Sequence, residues 1–147
     1  DGEIWRDEEI CTTDRLEHFA WEIGQVREQI QGLVAQTVRM FGYIDLYAAS
    51  TKSSTLLQYC GLDHRQIRRA AERTPEKVGL VTSGTRIPIV SEEEWRQSVP
   101  AAVSLIGAWQ FAGAFLWREA GYLADGSHFL IPLPHPRIVS HAQSVAS

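Results

Sequence analysis

The sequence predicts an α/β domain: a mostly parallel sheet of four or five strands, helices on both faces, and one long helix in front. Three observations carry this. A proline-free seam of apolar residues at helical spacing opens the chain. Short β-prone runs then alternate with helical segments, the order expected of a parallel sheet with right-handed crossovers. The run Ala101 to Trp109 is apolar on both faces, as a strand buried under two helix layers must be.

Each element follows from local chemistry. Residues 1–13 read as a flexible acidic segment. Asp14, with Glu17 three residues on, imitates a helix capping box. Leu16, Phe19, Ile23, Val26, Ile30, Leu33, Thr37 and Met40 then step by three and four, which predicts a helix over 14–40, better buried in its second half where Val34 and Val38 widen the stripe. Gly42 ends it. Tyr43 to Tyr47 is a strand, the hydroxyl-rich stretch 48–54 a turn, and Thr55 to Cys60 a helix closed by Gly61. Residues 63–73 favour a helix by propensity, although a parallel sheet wants a strand there. Ile87 to Val90 is a strand whose Pro88 suggests an edge. Ser91 caps a short acidic helix. Ala101 to Trp109 is the most buried strand, 111–123 a helix, Ser127 to Pro134 another strand, and Ile138-Val139 a last short one. The core spans 42–139 within a single domain of 14–140, and the serine-rich tail 141–147 frays.

Composition narrows the function. The chain has 147 residues, 44% hydrophobic and 22% charged, the balance of one soluble globular domain. No apolar run reaches the roughly 18 residues of a membrane span. A net charge of −4 argues against nucleic acid as the main partner. Arg65, Arg68, Arg69 and Arg73 form the one dense basic stretch, either a solvated face or a phosphate patch. Cys11 and Cys60 have no metal spacing and read as reduced thiols of a cytoplasmic protein, Cys60 as core filler. The five histidines are scattered, so no metal site is expected in this domain. Asp1 is not an initiator residue and no leader pattern follows it, so the expectation is a piece of a longer protein.

The best site candidate is the turn after the first strand, because open parallel sheets bind ligands beyond the carboxyl ends of their strands. Ser50, Thr51, Ser53 and Ser54 offer hydroxyls and Lys52 a charge. The turn has no glycine, so a dinucleotide fingerprint is absent. Two uses stay open: an anion or sugar contact, or a capped turn with solvated hydroxyls. Glu72 lies about 20 residues on, near the spacing of a ribose-binding carboxylate, and reads equally as a surface residue between Arg69 and Arg73. Trp109, at the end of the buried strand, either walls a pocket or packs in the core.

Four segments go further. Tyr47 to Leu62 (YAASTKSSTLLQYCGL) is similar to the Y-G-A-S-T-K-G-N-T-L-L-Q-Y-C-G segment in the carboxyl-terminal domain of SAM-dependent C-methyltransferases, which methylate a carbon of nucleotide-linked keto-sugars. Pro75 to Ile89 resembles the family's P-x-K-x-G…P-G-T-x-I-P-I segment, Ala108 to Phe111 its P-W-x-F, and Gly126 to Pro134 its G-G-x-F-I-x-P-L-P. They occur in the family's order. Ala48 and Ser53 stand where the family has glycine, Ser83 and Ala108 where it has proline. The acidic pair usual after W-x-F is absent.

The resemblance implies a Rossmann-like three-layer domain, with a strand around 68–72. It implies an upstream SAM-binding domain, also holding the catalytic base, and a zinc motif further upstream. For the whole enzyme it implies proton abstraction beside a ketone, then attack of the enolate on the SAM methyl group. This domain would be inactive alone, would not bind S-adenosylmethionine, and would wall the acceptor cleft through Ser50, Thr51, Lys52 and Trp109. Other readings stay open: a stand-alone binding module for a nucleotide or sugar phosphate, or a helix-mediated interaction domain that forms a homodimer through the long helix.

Overall fold

The computed structural model describes the backbone of residues 2–141 and the side chains of residues 14–141. Helix α1 (Gly2–Phe41) leads into β1 (Ile44–Tyr47), α2 (Thr51–Tyr59), β2 (Ile67–Glu72), β3 (Ile89–Ser91), α3 (Glu92–Gln97), β4 (Val103–Ile106), α4 (Ala112–Arg118), α5 (Ala120–Ala124), β5 (His128–Ile131) and β6 (Arg137–Val139). The six strands form one sheet in the order β3-β2-β1-β4-β5-β6. Pairings from β3 to β5 are parallel, and β6 runs antiparallel to β5. The expected α/β class and long first helix are borne out, with the antiparallel β6 carrying the sheet to six strands.

Two cores sandwich the sheet. On one side Ile30 and Val34 of α1 and Leu57 of α2 cluster with Ile44, Leu46, Ile67, Leu105 and Leu130. On the other, Trp95 of α3, Phe115 of α4 and Leu123 of α5 cluster with Tyr47, Ala71, Ile106 and Phe129. β1 and β4 are buried along their whole length, which is why the run that contains β4 reads as apolar on both faces. Cys60 is a free buried thiol, pushed up from its ordinary pKa by burial, as suits a core filler.

Several boundaries differ from expectation. α1 begins at Gly2, so Asp14 lies inside it; residues 3–13 hold no glycine or proline to stop a helix. The expected flexible segment 1–13 and frayed tail 141–147, with Cys11, lie outside the described residues, save the backbone of 2–13 and His141. Helix α2 starts at Thr51 rather than Thr55, because the hydroxyl stretch caps it. Residues 67–72 are a strand despite their helix propensity, held between β1 and β3. β3 is an edge strand, and Pro88, which has no N–H for the ladder, falls just before it. The expected helix 111–123 is broken at Glu119, whose carboxylate is drawn into a buried network. β4 stops at Ile106, so Trp109 opens a 3-10 turn (Trp109–Phe111) rather than ending a strand.

The second half of α1 is the better buried, as expected. Ahead of it, among the described side chains, Leu16 and Phe19 are 63% and 58% exposed although they continue the seam that Ile30 and Val34 bury.

Candidate functional site

The strand order reverses between β1 and β4. From β1 the chain crosses on the α1/α2 side, and from β4 on the α3–α5 side. Such a switch point opens a crevice at the carboxyl ends of the strands, where open α/β sheets bind ligands. Here the two strand ends are joined tightly. Gly107 N–H donates to the Tyr47 carbonyl at 2.8 Å. A Cβ at residue 107 would meet the Ala48 carbonyl oxygen at 2.6 Å and Ser53 Oγ at 2.9 Å, so only glycine lets the two turns close.

The turn itself is a reciprocal cap. Ser53 N–H donates to Ser50 Oγ at 3.1 Å, and Ser50 N–H donates to Ser53 Oγ at 2.8 Å, which in turn donates to the Ser50 carbonyl at 2.7 Å. Ser53 is fully buried. The backbone donors that would hold a pyrophosphate are therefore partly consumed within the turn, and Ser53 fills the space a glycine would leave.

Two clefts flank this turn. One, of about 540 Å³, is bounded by Ala48 and Ala49 after β1, Glu72 and Arg73 after β2, and Phe111 and Arg118 after β4. The second, of about 340 Å³, is bounded by Ser50, Thr51 and Gln58 of the turn and α2, and by Lys77 and Thr82 of the long loop before β3. Ala49 and Glu72 line both, so the clefts adjoin at the end of β2. Both volumes suit a small organic ligand.

The structure thus brings Ser50 and Thr51 to one cleft. Lys52 is exposed on the first turn of α2 and lines neither. Trp109 is not brought to the turn cleft: it lines a separate groove of about 370 Å³ with Phe19, Ile23 and Val26 of α1 and Leu133 and Pro134 after β5. The arginine stretch divides. Arg65 pairs with Asp63, Arg68 and Arg69 turn to Asp45, and only Arg73 reaches the cleft. Arg118 had no sequence signal as a site residue, because the sheet order alone brings it in, whereas Lys77 and Phe111 stand in the resembling segments Pro75 to Ile89 and Ala108 to Phe111. Among the described residues no cluster of His, Cys, Asp and Glu could hold a metal ion.

The sequence that builds this sheet and its clefts matches a known family. The family model for the C-methyltransferase C-terminal domain covers residues 4–134. The chain belongs to this C-methyltransferase C-terminal domain family. It is 39% identical over 135 residues to the C-methyltransferase NovU of Streptomyces niveus, covering 92% of this chain and 32% of the relative. The chain therefore spans about a third of that relative's length.

Family membership gives meaning to Ala48. Its φ is +60°, in the left-handed region, where the resembling segment has glycine. Ala48→Gly relieves this strain but adds unfolded-state freedom, so a net stabilisation of roughly 0.5–1 kcal/mol is expected. Thermal unfolding of the two chains measures it, and a loss of stability would show that the turn is not strained.

Proposed function

We propose that this chain is the carboxyl-terminal domain of a SAM-dependent C-methyltransferase, forming one wall of the cleft that holds a nucleotide-linked keto-sugar or similar ketone. The observation that carries the reading is the pair of clefts beyond the carboxyl ends of β1, β2 and β4, in a chain of this family. Ser50 and Thr51 supply hydroxyls to the acceptor and Lys52 a charge at its approach, while Trp109 walls only the separate groove where α1 meets the stretch after β5.

S-adenosylmethionine, which this family implies for the parent enzyme, does not fit the turn after β1. Ser53 fills the close approach and the Ser50–Ser53 cap uses its donors. The cofactor and the catalytic base belong to an upstream domain of the parent chain, in a bacterial cytoplasm, and this domain binds and orients the acceptor. Among the described residues no helix is long and apolar enough to cross a membrane.

The test is calorimetry on the isolated chain. Any dissociation constant for S-adenosylmethionine is expected to lie above about 1 mM. Tight binding would overturn the division of labour.

The exposed Leu16 and Phe19 favour a second reading, self-association through α1. Light scattering at high protein concentration decides it, and a monomer mass removes it.

A further inference from the structure

We propose that Glu72 reads a ring hydroxyl of the bound ligand, while Arg73 and Lys77 on either side of it take the ligand's phosphate. The ligand class is a phosphorylated sugar or nucleoside, and the inference rests on the acceptor-wall reading above.

Glu72 is the last residue of β2, beside the turn after β1, and it lines both clefts. Doubly wound sheets place hydroxyl-binding carboxylates at this corner. One carboxylate oxygen is committed to the protein: Oε1 accepts from Arg73 N–H at 3.1 Å, Thr74 N–H at 3.3 Å and Thr74 Oγ1 at 3.3 Å. These three bonds fix the side chain against its own turn. The other oxygen, Oε2, is buried and has no hydrogen-bond partner among the described residues. A buried carboxylate oxygen without a donor is costly, so a fixed one at the junction of two clefts calls for a donor from outside the chain. A ligand hydroxyl is such a donor and a phosphate is not.

The cations complete the chemistry. Arg73 lines the first cleft and Lys77 the second, and neither side chain takes part in an ion pair among the described residues. Glu92, the other carboxylate of the first cleft, is already held by Arg96 at 3.0 Å. Arg118 Nε, in the same cleft, is buried without a hydrogen-bond partner, its nearest carboxylate oxygen 4.0 Å away. A donor hydroxyl at Glu72 with an anion beside it is therefore the complement of this corner.

The experiment is an amide-resolved NMR titration of the 147-residue chain with three probes: thymidine diphosphoglucose, thymidine diphosphate and glucose 1-phosphate. The Arg73 and Thr74 amides report directly on the Glu72 carboxylate, because they donate to it. Both should shift with thymidine diphosphoglucose, and so should the Glu72 carboxylate carbon. Glu72→Gln keeps the Oε1 acceptor but turns the other oxygen into a donor, and should weaken binding about tenfold. The smaller probe that also loses affinity identifies whether the hydroxyl lies on the nucleoside or on the sugar. Shifts at these amides with unchanged affinity in Glu72→Gln would overturn the role of Glu72 and leave the acceptor wall standing. Absence of any shift at Ala49, Arg73 and Thr74 would overturn both. The wild-type carbon and amide shifts decide the matter even if the variant folds poorly.

Discussion

Replacing Asp45 by alanine is expected to cost roughly 3–5 kcal/mol, the range for removing one partner of a buried ion pair. Asp45 lies in the middle of β1 with no exposed side-chain surface. Its Oδ2 accepts from Ala101 N–H at 2.9 Å, Trp95 Nε1 at 3.1 Å and Arg68 Nη2 at 3.1 Å, and its Oδ1 accepts from Arg68 Nε at 3.2 Å. One carboxylate thus ties β1 to β2, to α3 and to the start of the segment that becomes β4. Arg68 also lies over the Tyr43 ring at 4.1 Å, and Arg69 holds Ser98 and the carbonyls of Trp95 and Val99. Alanine would leave the Trp95 indole N–H and the Ala101 N–H buried without an acceptor, and two guanidinium groups without their counter-charge. Domains are stable by only about 5–15 kcal/mol, so the variant sits near the edge of folding. Asp45→Asn retains one acceptor oxygen and should lose less. Urea unfolding of the three chains measures the series. A loss for Asp45→Ala below about 1 kcal/mol would mean that the network is decoration rather than the clamp of the sheet.

This network explains where the sequence was legible. β4 and β5 are covered by helices on both faces, so their apolar runs stand out without knowledge of any partner. β2 carries Arg68 and Arg69 and reads as a helix, because the acid that makes those arginines tolerable in a sheet is Asp45, more than 20 residues away. The hydroxyl-rich turn was legible as a site edge because Ser50 and Ser53 can satisfy each other locally. Glu72 had only its spacing to mark it. Arg118 had nothing, since its place in the first cleft is made by the strand order and not by any local pattern, and Lys77 had only its place in the resembling segment Pro75 to Ile89. Trp109 was misplaced by one physical detail. Gly107 must press against the Ala48 carbonyl, so β4 ends early and the chain turns the tryptophan toward α1.

Glu119→Gln is expected to lower stability at pH 7 by roughly 1.5–3 kcal/mol and to flatten the acid limb of the stability curve. Glu119 is 3% exposed and sits at the break between α4 and α5. Arg96 grips it twice, Nε to Oε1 at 2.9 Å and Nη2 to Oε2 at 2.6 Å, and Tyr47 Oη donates to Oε2 at 2.6 Å. Burial alone pushes its pKa up; the hydrogen bonds from Arg96 and Tyr47, with the charges of Arg96 and Arg118, outweigh this and hold it below the ordinary 4.5. The folded chain therefore binds this proton less readily than the unfolded chain. The stabilisation is complete above the unfolded value and is lost as pH falls from about 4.5 through the lower folded value. Glutamine has no charge to lose, so its chain should show a shallower fall over that window. Tyr47 gives the opposite limb: burial first, then its bond to Glu119, raises its pKa well above 10. Its share of stability is present below pH 10 and is lost as pH rises beyond it, and Tyr47→Phe should flatten that limb. Tyr122, raised chiefly by burial too, keeps its own share. Urea midpoints from pH 3 to 11 test both limbs, and parallel curves for wild type and variants would sink the assignment. The same network reaches the first cleft, because Arg96 also bonds Glu92 at 3.0 Å and Glu92 lies 3.9 Å from Arg118. Losing the Glu119 charge frees Arg96 to hold Glu92 more closely and leaves Arg118 with less counter-charge, so phosphate-bearing probes should bind the variant at least as well as wild type.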